Sequence, residues 1–482
     1  MPSGGGTTDM DMAAMVADVV PEIVLVVGGI LVLLFAVLGP RRWQTGAALL
    51  ALVVVALAAV VSGAMLDGAD TLTFADTYAR DGVALWSKLI VLAVTAGVIG
   101  LSIPWFRSDP RHGEYYTLLL FSALGAILLA GATDLKEFVL ALVLSSATGF
   151  VLVAYHRQSS PASEAAIKYY LLGAFTSTSL LLGVALLYGL GGSTTLPGLA
   201  EGLDDGGGAA LVVGVGLVVL ALAFKIGAVP VHAWMPDVAQ GAPAPVAAFV
   251  TSAPKVGGFI FLARLVVALP PEVIEWRPLV AVLAAATMTL GNLAALWQDD
   301  VRRLLGWSAV SQTGYGLMAV VALDRSELAM PALLFFLLAY VVANVAAFGV
   351  VTELRGRTAL DAYRGLARAR PWLAGAIGLS FLSFIGVPPL AGFVAKLLLF
   401  AVAIEVGYTW LAVVAAINTV ISIVYYARFL APMYFGGITG PVPVLGRWAA
   451  AMTLVFTMAT VAIGIGAEPL IDAFEAAELA GR

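Results

Sequence analysis

About 14 apolar runs, each near the roughly 20 residues that carry a helix across a bilayer core, leave this chain few folds to adopt. They lie at about 18–38, 45–66, 82–103, 114–132, 134–155, 164–190, 209–231, 242–269, 278–298, 302–323, 328–353, 372–404, 408–432 and 448–466. Only 11% of the 482 residues are charged, against about 25% in soluble domains. The fold class is therefore all-α, a polytopic membrane protein with no soluble domain between its spans. The N-terminal stretch MPSGGGTTDMDMAAMVADVV lacks a basic region, so it does not read as a conventional signal peptide.

Short loops orient the spans. Odd-to-even connections carry Arg41 and Arg42, Arg107 and Arg111, Arg157, Arg302 and Arg303, a cluster from Arg355 to Arg370, and Arg447. Even-to-odd connections hold Asp67, Asp70, Asp76, Glu201, Asp204 and Asp205. With the basic side cytoplasmic, a cell-membrane protein with both termini on the outer side is expected. The basic loop 354–371 mixes arginine with leucine and fits either a short interfacial helix or a topology signal alone.

What the chain lacks narrows its chemistry. Cysteine is absent, which excludes disulfides, thiolate metal sites and iron–sulfur clusters on this chain. His112, His156 and His232 are too scattered to suggest a metal centre. No glycine-rich nucleotide fingerprint and no nucleophile elbow occurs.

Lysine is used differently from arginine. Of six lysines, Lys168, Lys225, Lys255 and Lys396 fall inside apolar runs, and Lys88 sits early in another. A lysine at the bilayer centre costs about 3 kcal/mol on insertion scales. Pro230 follows Lys225 by five residues, Pro254 directly precedes Lys255, and Pro388-Pro389 precede Lys396. A proline inside a helix frees the carbonyl four residues back. Freed backbone at membrane depth is tolerated where protein buries it or a wet cavity meets it. Buried lysine beside a broken helix is the pattern of an ion path; the bland alternative is a lysine snorkelling to the interface.

Breaks in runs 7, 8 and 12 suggest two five-helix repeats, runs 4–8 and 9–13. An odd number of spans inverts the second relative to the first. The chain then divides into 1–113 (three N-terminal helices), 114–269 (first repeat), 270–435 (second repeat) and 436–482 (C-terminal helix and tail).

VPVHAWMPDVAQGAPAPVAAFVTSAPK at 229–255, EAAIKYYLLGAF at 164–175, GNLAALWQDDVRRLLGWSAVSQTGY at 291–315 and GVPPLAGFVAK at 386–396 resemble the antiporter-like subunit N family of respiratory complex I, the proton-pumping NADH–quinone oxidoreductase. Shorter matches are Pro21-Glu22-Ile23, Asp81-Gly82 and Gly113-Glu114-Tyr115-Tyr116, and the likeness covers about 21–435. The resemblance implies a row of protonatable groups at mid-membrane. Lys225 would gate the inner half-channel, Lys255 would be the central relay and Lys396 the exit lysine. Lys168 matches a further family lysine, and His232 would be a proton-entry group or a polar cap on the break. Asp237 is expected to orient the loop between the breaks. Ser308, Ser311 and Gln312 add polarity to the tenth span, Gln312 standing where many family members have histidine.

One position departs from the family. The glutamate expected on the fifth helix as the partner of Lys225 is replaced by Val143. The nearest carboxylate, Glu137, lies six residues earlier, about 9 Å along a helix. Either Glu137 substitutes from a shifted place, or the partner is lost. The expected function is a translocase subunit coupling NADH–quinone electron transfer to proton movement. Its partners would be the other membrane subunits of complex I and the lipid bilayer, not nucleic acid. The resemblance implies no cofactor on this chain; NADH, FMN, iron–sulfur clusters and quinone would bind partner subunits or their interfaces. Two other functions remain open: a subunit of a multi-subunit cation/proton antiporter, and a transport-inactive scaffold copy.

Overall fold

A computed structural model describes residues 12–480 apart from 69, 110–111, 157–158, 204–207, 270–272 and 438–444. Arg111, Arg157, Asp204 and Asp205, used above for orientation, lie outside the described residues. The chain opens with α1 (Met12–Asp18), α2 (Val20–Leu38) and α3 (Gln44–Ala64). A short antiparallel hairpin, β1 (Thr71–Thr73) and β2 (Tyr78–Arg80), leads into α4 (Gly82–Trp105). Next come α5 (Gly113–Gly131), α6 (Leu135–Val153), α7 (Ser160–Gly191), α8 (Leu196–Gly202) and α9 (Gly208–Ile226). The centre holds α10 (Trp234–Gly241), α11 (Ala244–Val250) and α12 (Ala253–Ala268). The second half runs through α13 (Arg277–Ala295), α14 (Val301–Ala322), α15 (Ala329–Glu353), α16 (Leu366–Ala369), α17 (Pro371–Ile385) and α18 (Ala391–Glu405). It closes with α19 (Thr409–Phe435), α20 (Arg447–Ile465) and α21 (Ala467–Glu475).

Among the described residues, 12 helical stretches are long and apolar enough to cross a membrane. The other two apolar runs are helical as well. Run 302–323 is α14, which starts with two arginines, and run 372–404 is split into α17 and α18. In hydrocarbon the backbone must pair internally, and acids close the helix starts here. Asp81 accepts from the Ala84 amide at 2.7 Å, Asp134 from Lys136 at 2.6 Å, and Asp300 from Arg302 at 2.9 Å and Arg303 at 3.0 Å. Basic loop 354–371 forms a 3-10 turn, Leu360–Tyr363, and the single turn α16 rather than an interfacial helix.

Two hairpins share their construction. In α5–α6, a Cβ on Gly125 would run into the backbone of Ser145; in α13–α14, a Cβ on Gly291 would run into that of Ser311. Bare glycine is what allows such close approach, since membrane helices associate through tight packing of small residues. The cap of each second helix also pairs across to a loop, Asp134 with Thr195 and Asp300 with Ala359. Burial grades across the molecule. Stretch 244–266 is wholly buried and α15 nearly so, whereas α7 and α20 keep most of their surface open. Lys225 lies on α9, Lys255 on α12 and Lys396 on α18, each buried.

Candidate functional site

Three interruptions surround the core lysines, and each is paired by named side chains. After Ile226 the chain turns through Gly227, whose φ of +79° favours glycine. Phe224 O accepts from Trp234 Nε1 at 3.0 Å and Ile226 O from Thr313 Oγ1 at 2.7 Å. The Val229 amide donates to Thr287 Oγ1 at 3.2 Å. At the break between α11 and α12, Tyr340 Oη donates to Thr251 O at 2.9 Å, and Asn344 Nδ2 donates to Thr251 Oγ1 at 2.9 Å and Ser252 Oγ at 2.7 Å. Between α17 and α18, Gln312 Nε2 donates to Phe384 O at 3.2 Å, and the Gly392 amide to Ser383 Oγ at 3.1 Å. No freed carbonyl named here is left to hydrocarbon, as a break at membrane depth requires.

Lys225, Lys255 and Lys396 are 1%, 1% and 5% exposed. Lys225 Nζ donates to Ser146 Oγ on α6 at 3.1 Å. Lys255 Nζ donates to Ala309 O on α14 at 2.7 Å and lies 4.7 Å from the centre of the Tyr340 ring. Lys396 Nζ donates to Ile385 O at 3.1 Å and to Thr419 Oγ1 at 3.3 Å, 4.1 Å above the Tyr315 ring. Its own break therefore supplies one acceptor. Among the described residues none of the three forms an ion pair. Their acceptors are neutral, and a carbonyl or hydroxyl accepts from a charged or a neutral amine alike. A carboxylate would favour the charged state alone.

Polar side chains join these positions. A cavity of about 10 Å³ lies between Tyr340, Gln312, Ser383 and Lys396, near the minimum for one water. Ser308 Oγ and Tyr426 Oη are 2.5 Å apart. The Ser311 hydroxyl is buried without a partner among the described residues.

The other expected residues sit elsewhere. Lys168 is 45% exposed and pairs with Glu164 at 2.7 Å and Asp237 at 3.0 Å. Asp237 also binds Arg303 at 2.5 Å. These groups, with Arg302 and Gln240, line an open cleft of about 550 Å³. Lys168 thus belongs to a charged mouth, apart from the buried row. His232 is half-buried in the turn after α9, its ring 5.6 Å from that of Trp307. Burial lowers its pKa, against a hydrogen bond with the Pro230 backbone that raises it. Its Nδ1 has no partner among the described residues.

Glu137 makes no ion pair with Lys225 among the described residues. It lies nine residues before Ser146 on α6, about 13 Å along the axis, within electrostatic reach of Asp134, Glu22 and Lys88. Val143 is 47% exposed. Sequence reasoning missed Ser146 as the partner of Lys225; the only hint is a serine pair, Ser145-Ser146, in an apolar run. Missed too were the tyrosines under Lys255 and Lys396, and a buried pair, Lys88 Nζ to Glu22 Oε1 at 2.7 Å. Arg264, in the last turns of α12, is buried against Asp81 at 2.7 Å.

Residues 132–422 match the family described as NADH:quinone oxidoreductase/Mrp antiporter, transmembrane. NADH-quinone oxidoreductase subunit N of Mycobacterium sp. (strain JLS) is 45% identical over 399 residues, 82% of this chain and 83% of the relative. NADH-quinone oxidoreductase subunit N 1 of Streptomyces griseus is 40% identical over 479 residues, 98% of this chain and 99% of the relative. Among solved structures, a chain of respiratory complex I from Thermus thermophilus is 32% identical with a TM-score of 0.82, covering 95% of this chain and 100% of that one. A chain of the Mrp complex from Dietzia sp. reaches a TM-score of 0.85 at 22% identity, covering 96% and 97%; that likeness concerns the fold alone.

Proposed function

This chain belongs to the subunit N family of NADH-quinone oxidoreductase, and we propose that it carries protons across the membrane through Lys225, Lys255 and Lys396. The observation that carries the reading is the row itself: three buried lysines, each beside a helix interruption, each held by neutral acceptors. A buried ionisable residue inside a span is costly and is a mark of an ion pathway. Their acceptors suit both protonation states, which a relay needs. Lys168, Asp237 and His232 would form the cytoplasmic mouth, in keeping with the open cleft there.

In this reading both termini face outward, and the runs form 14 crossings with two inverted repeats, 114–269 and 270–435. The matched glycine–serine contacts and capped loops of the two hairpins support the repeat. Segments 1–113 and 436–482 would flank the repeats. Flavin, clusters and quinone would bind partner subunits.

The test is proton pumping per electron in the assembled complex. Lys225→Ala and Lys255→Ala are each expected to lower it about tenfold or more, roughly 1.4 kcal/mol per tenfold, with assembly intact. Wild-type pumping in both variants would overturn the relay and favour a scaffold role.

A further inference from the structure

Outside the lysine row, α13 and α19 meet through buried amides and hydroxyls. Asn292 on α13 is fully buried and Asn418 on α19 nearly so. Asn292 Nδ2 donates to Asn418 Oδ1 at 3.0 Å and to Asn418 O at 3.1 Å. Asn418 Nδ2 donates to Thr289 Oγ1 at 3.0 Å. Tyr425 Oη, also buried, donates to Asn292 Oδ1 at 3.0 Å. At one end of this ladder stands Thr419, next to Asn418 in α19. Its hydroxyl accepts from Lys396 Nζ at 3.3 Å and lies 3.0 Å from Tyr315 Oη. At the other end, about one turn past Tyr425, Arg428 donates to Leu296 O at 2.6 Å and pairs with Asp299. Both side chains of that pair are exposed.

The ladder leaves Lys396 in one direction only. In the orientation proposed above, segments 278–286, 316–322, 397–404 and 410–417 carry α13, α14, α18 and α19 onward to the outer side. None of the four holds a hydroxyl, an amide side chain or a charge. Toward the cytoplasmic side, Thr289, Asn292, Asn418, Ser422 and Tyr425 follow one another on the facing helices. Polar side chains at membrane depth are costly and mark ion paths. Paired amides also glue membrane helices together. Glue, however, needs neither an exposed charged end nor a buried lysine at the other.

We propose that α13 and α19 form a second cytoplasmic access, a proton route from the Arg428–Asp299 pair to Lys396. It rests on the reading that Lys396 exchanges protons and that the basic loops face the cytoplasm. Waters and hydroxyls pass the proton; the amides of Asn292 and Asn418 line the route and take no proton. Their mutual bond closes the route in this structure, and trading that bond for bonds to water opens it. Lys396 is then loaded without passing Lys225 or the mouth at Lys168 and Asp237. The resemblance alone makes Lys396 an exit lysine, whereas this route joins it to the opposite side. Onward transfer is left to the α15 side, where the cavity beside Tyr340 and Ser383 lies.

The chain has no cysteine, so a thiol introduced into it is read alone. Silver ion, close to water in size, is added to one side of vesicles holding the assembled complex. The complex is then denatured and alkylated, and the mass of this chain counts the thiols that silver left unblocked. Thr289→Cys and the near-isosteric Ser422→Cys are expected to be blocked from the cytoplasmic side and spared from the outer side. Ala412→Cys, buried in the apolar stretch of α19, should be spared from both. Blocking from the outer side overturns the proposal, and so does blocking of Thr289→Cys and Ser422→Cys no greater than that of Ala412→Cys. The access and the relay fail separately. Wild-type pumping in Lys396→Leu would sink the role of Lys396 whatever the blocking pattern. A spared Thr289→Cys together with impaired pumping in Lys396→Leu would sink the access alone.

Discussion

Two regions of this molecule bury lysine in opposite ways. The central row holds Lys225, Lys255 and Lys396 against hydroxyls, carbonyls and tyrosine faces, with no carboxylate in ion-pair contact among the described residues. The site between α2 and α4 holds Lys88 against Glu22, at 2.7 Å. The row has lysines without anions; the second site pairs its lysine with one. A complete buried pair fixes both charges, because removing either strands the other. A cation on neutral acceptors is free to lose its proton without stranding anything. Buried lysine is therefore not one signal, and the identity of its acceptor decides whether its charge is fixed.

The comparison breaks first at the complete pair. Asp81 and Arg264 are 0% and 4% exposed, and Asp81 also caps α4. Arg264→Ala is expected to cost about 3–5 kcal/mol of stability, read as an earlier unfolding midpoint of the complex in denaturant. Arg264→Met combined with Asp81→Leu should recover most of that loss. A single variant as stable as wild type would show that this region tolerates an unpaired charge.

Next comes Lys396, where the effect should fall on transport and not on stability. Lys396→Leu leaves Ile385 O and Thr419 Oγ1 without their donor and removes the titratable group. The pumping rate is expected to fall about tenfold, or roughly 1.4 kcal/mol. Lys396→Glu keeps a group that exchanges protons and should retain more turnover. Equal loss in both variants would mean that lysine is needed for its shape and hydrogen bonds.

Much of this was legible in the sequence, for physical reasons. Apolar length near the bilayer thickness fixes a helix, and proline beside lysine fixes an interruption, so the runs and their breaks could be placed from local chemistry. Lys225, Lys255 and Lys396 stood out because burying them is costly. What could not be read was contact across distance. Nothing local says that Ser146 meets Lys225 across 79 positions, or that Tyr340 lies under Lys255. Lys168 falls in an apolar run near the start of α7, and only the fold shows it at an open mouth beside Asp237. Glu22 and Lys88 were noticed separately, and only the fold brings α2 against α4.

The smallest effect should come from the fifth span, where the alignment and the geometry point to different residues. By alignment the missing carboxylate belongs at Val143, which is 47% exposed. By geometry the atom that meets Lys225 is Ser146 Oγ, at 3.1 Å. The two positions are three apart on a helix, so they are neighbours on one face. Ser146→Ala removes a single hydrogen bond and should cost about 1 kcal/mol, a fall of about fivefold in the pumping rate. Ser146→Asp places an anion where Lys225 already donates, and should hold the lysine charged and slow transfer. Val143→Glu has to reach inward from a half-open face, so a smaller change is expected, with pumping at or somewhat above wild type. Glu137→Gln should leave pumping near wild type, because Glu137 sits about nine residues, or 13 Å, along the helix from Ser146. If Val143→Glu changes pumping more than Ser146→Asp does, the lysine meets its partner from the position that alignment assigns. The row would then lack an anion only because this chain carries valine there, and the contrast with the Glu22–Lys88 cluster would rest on one substitution, not on two designs.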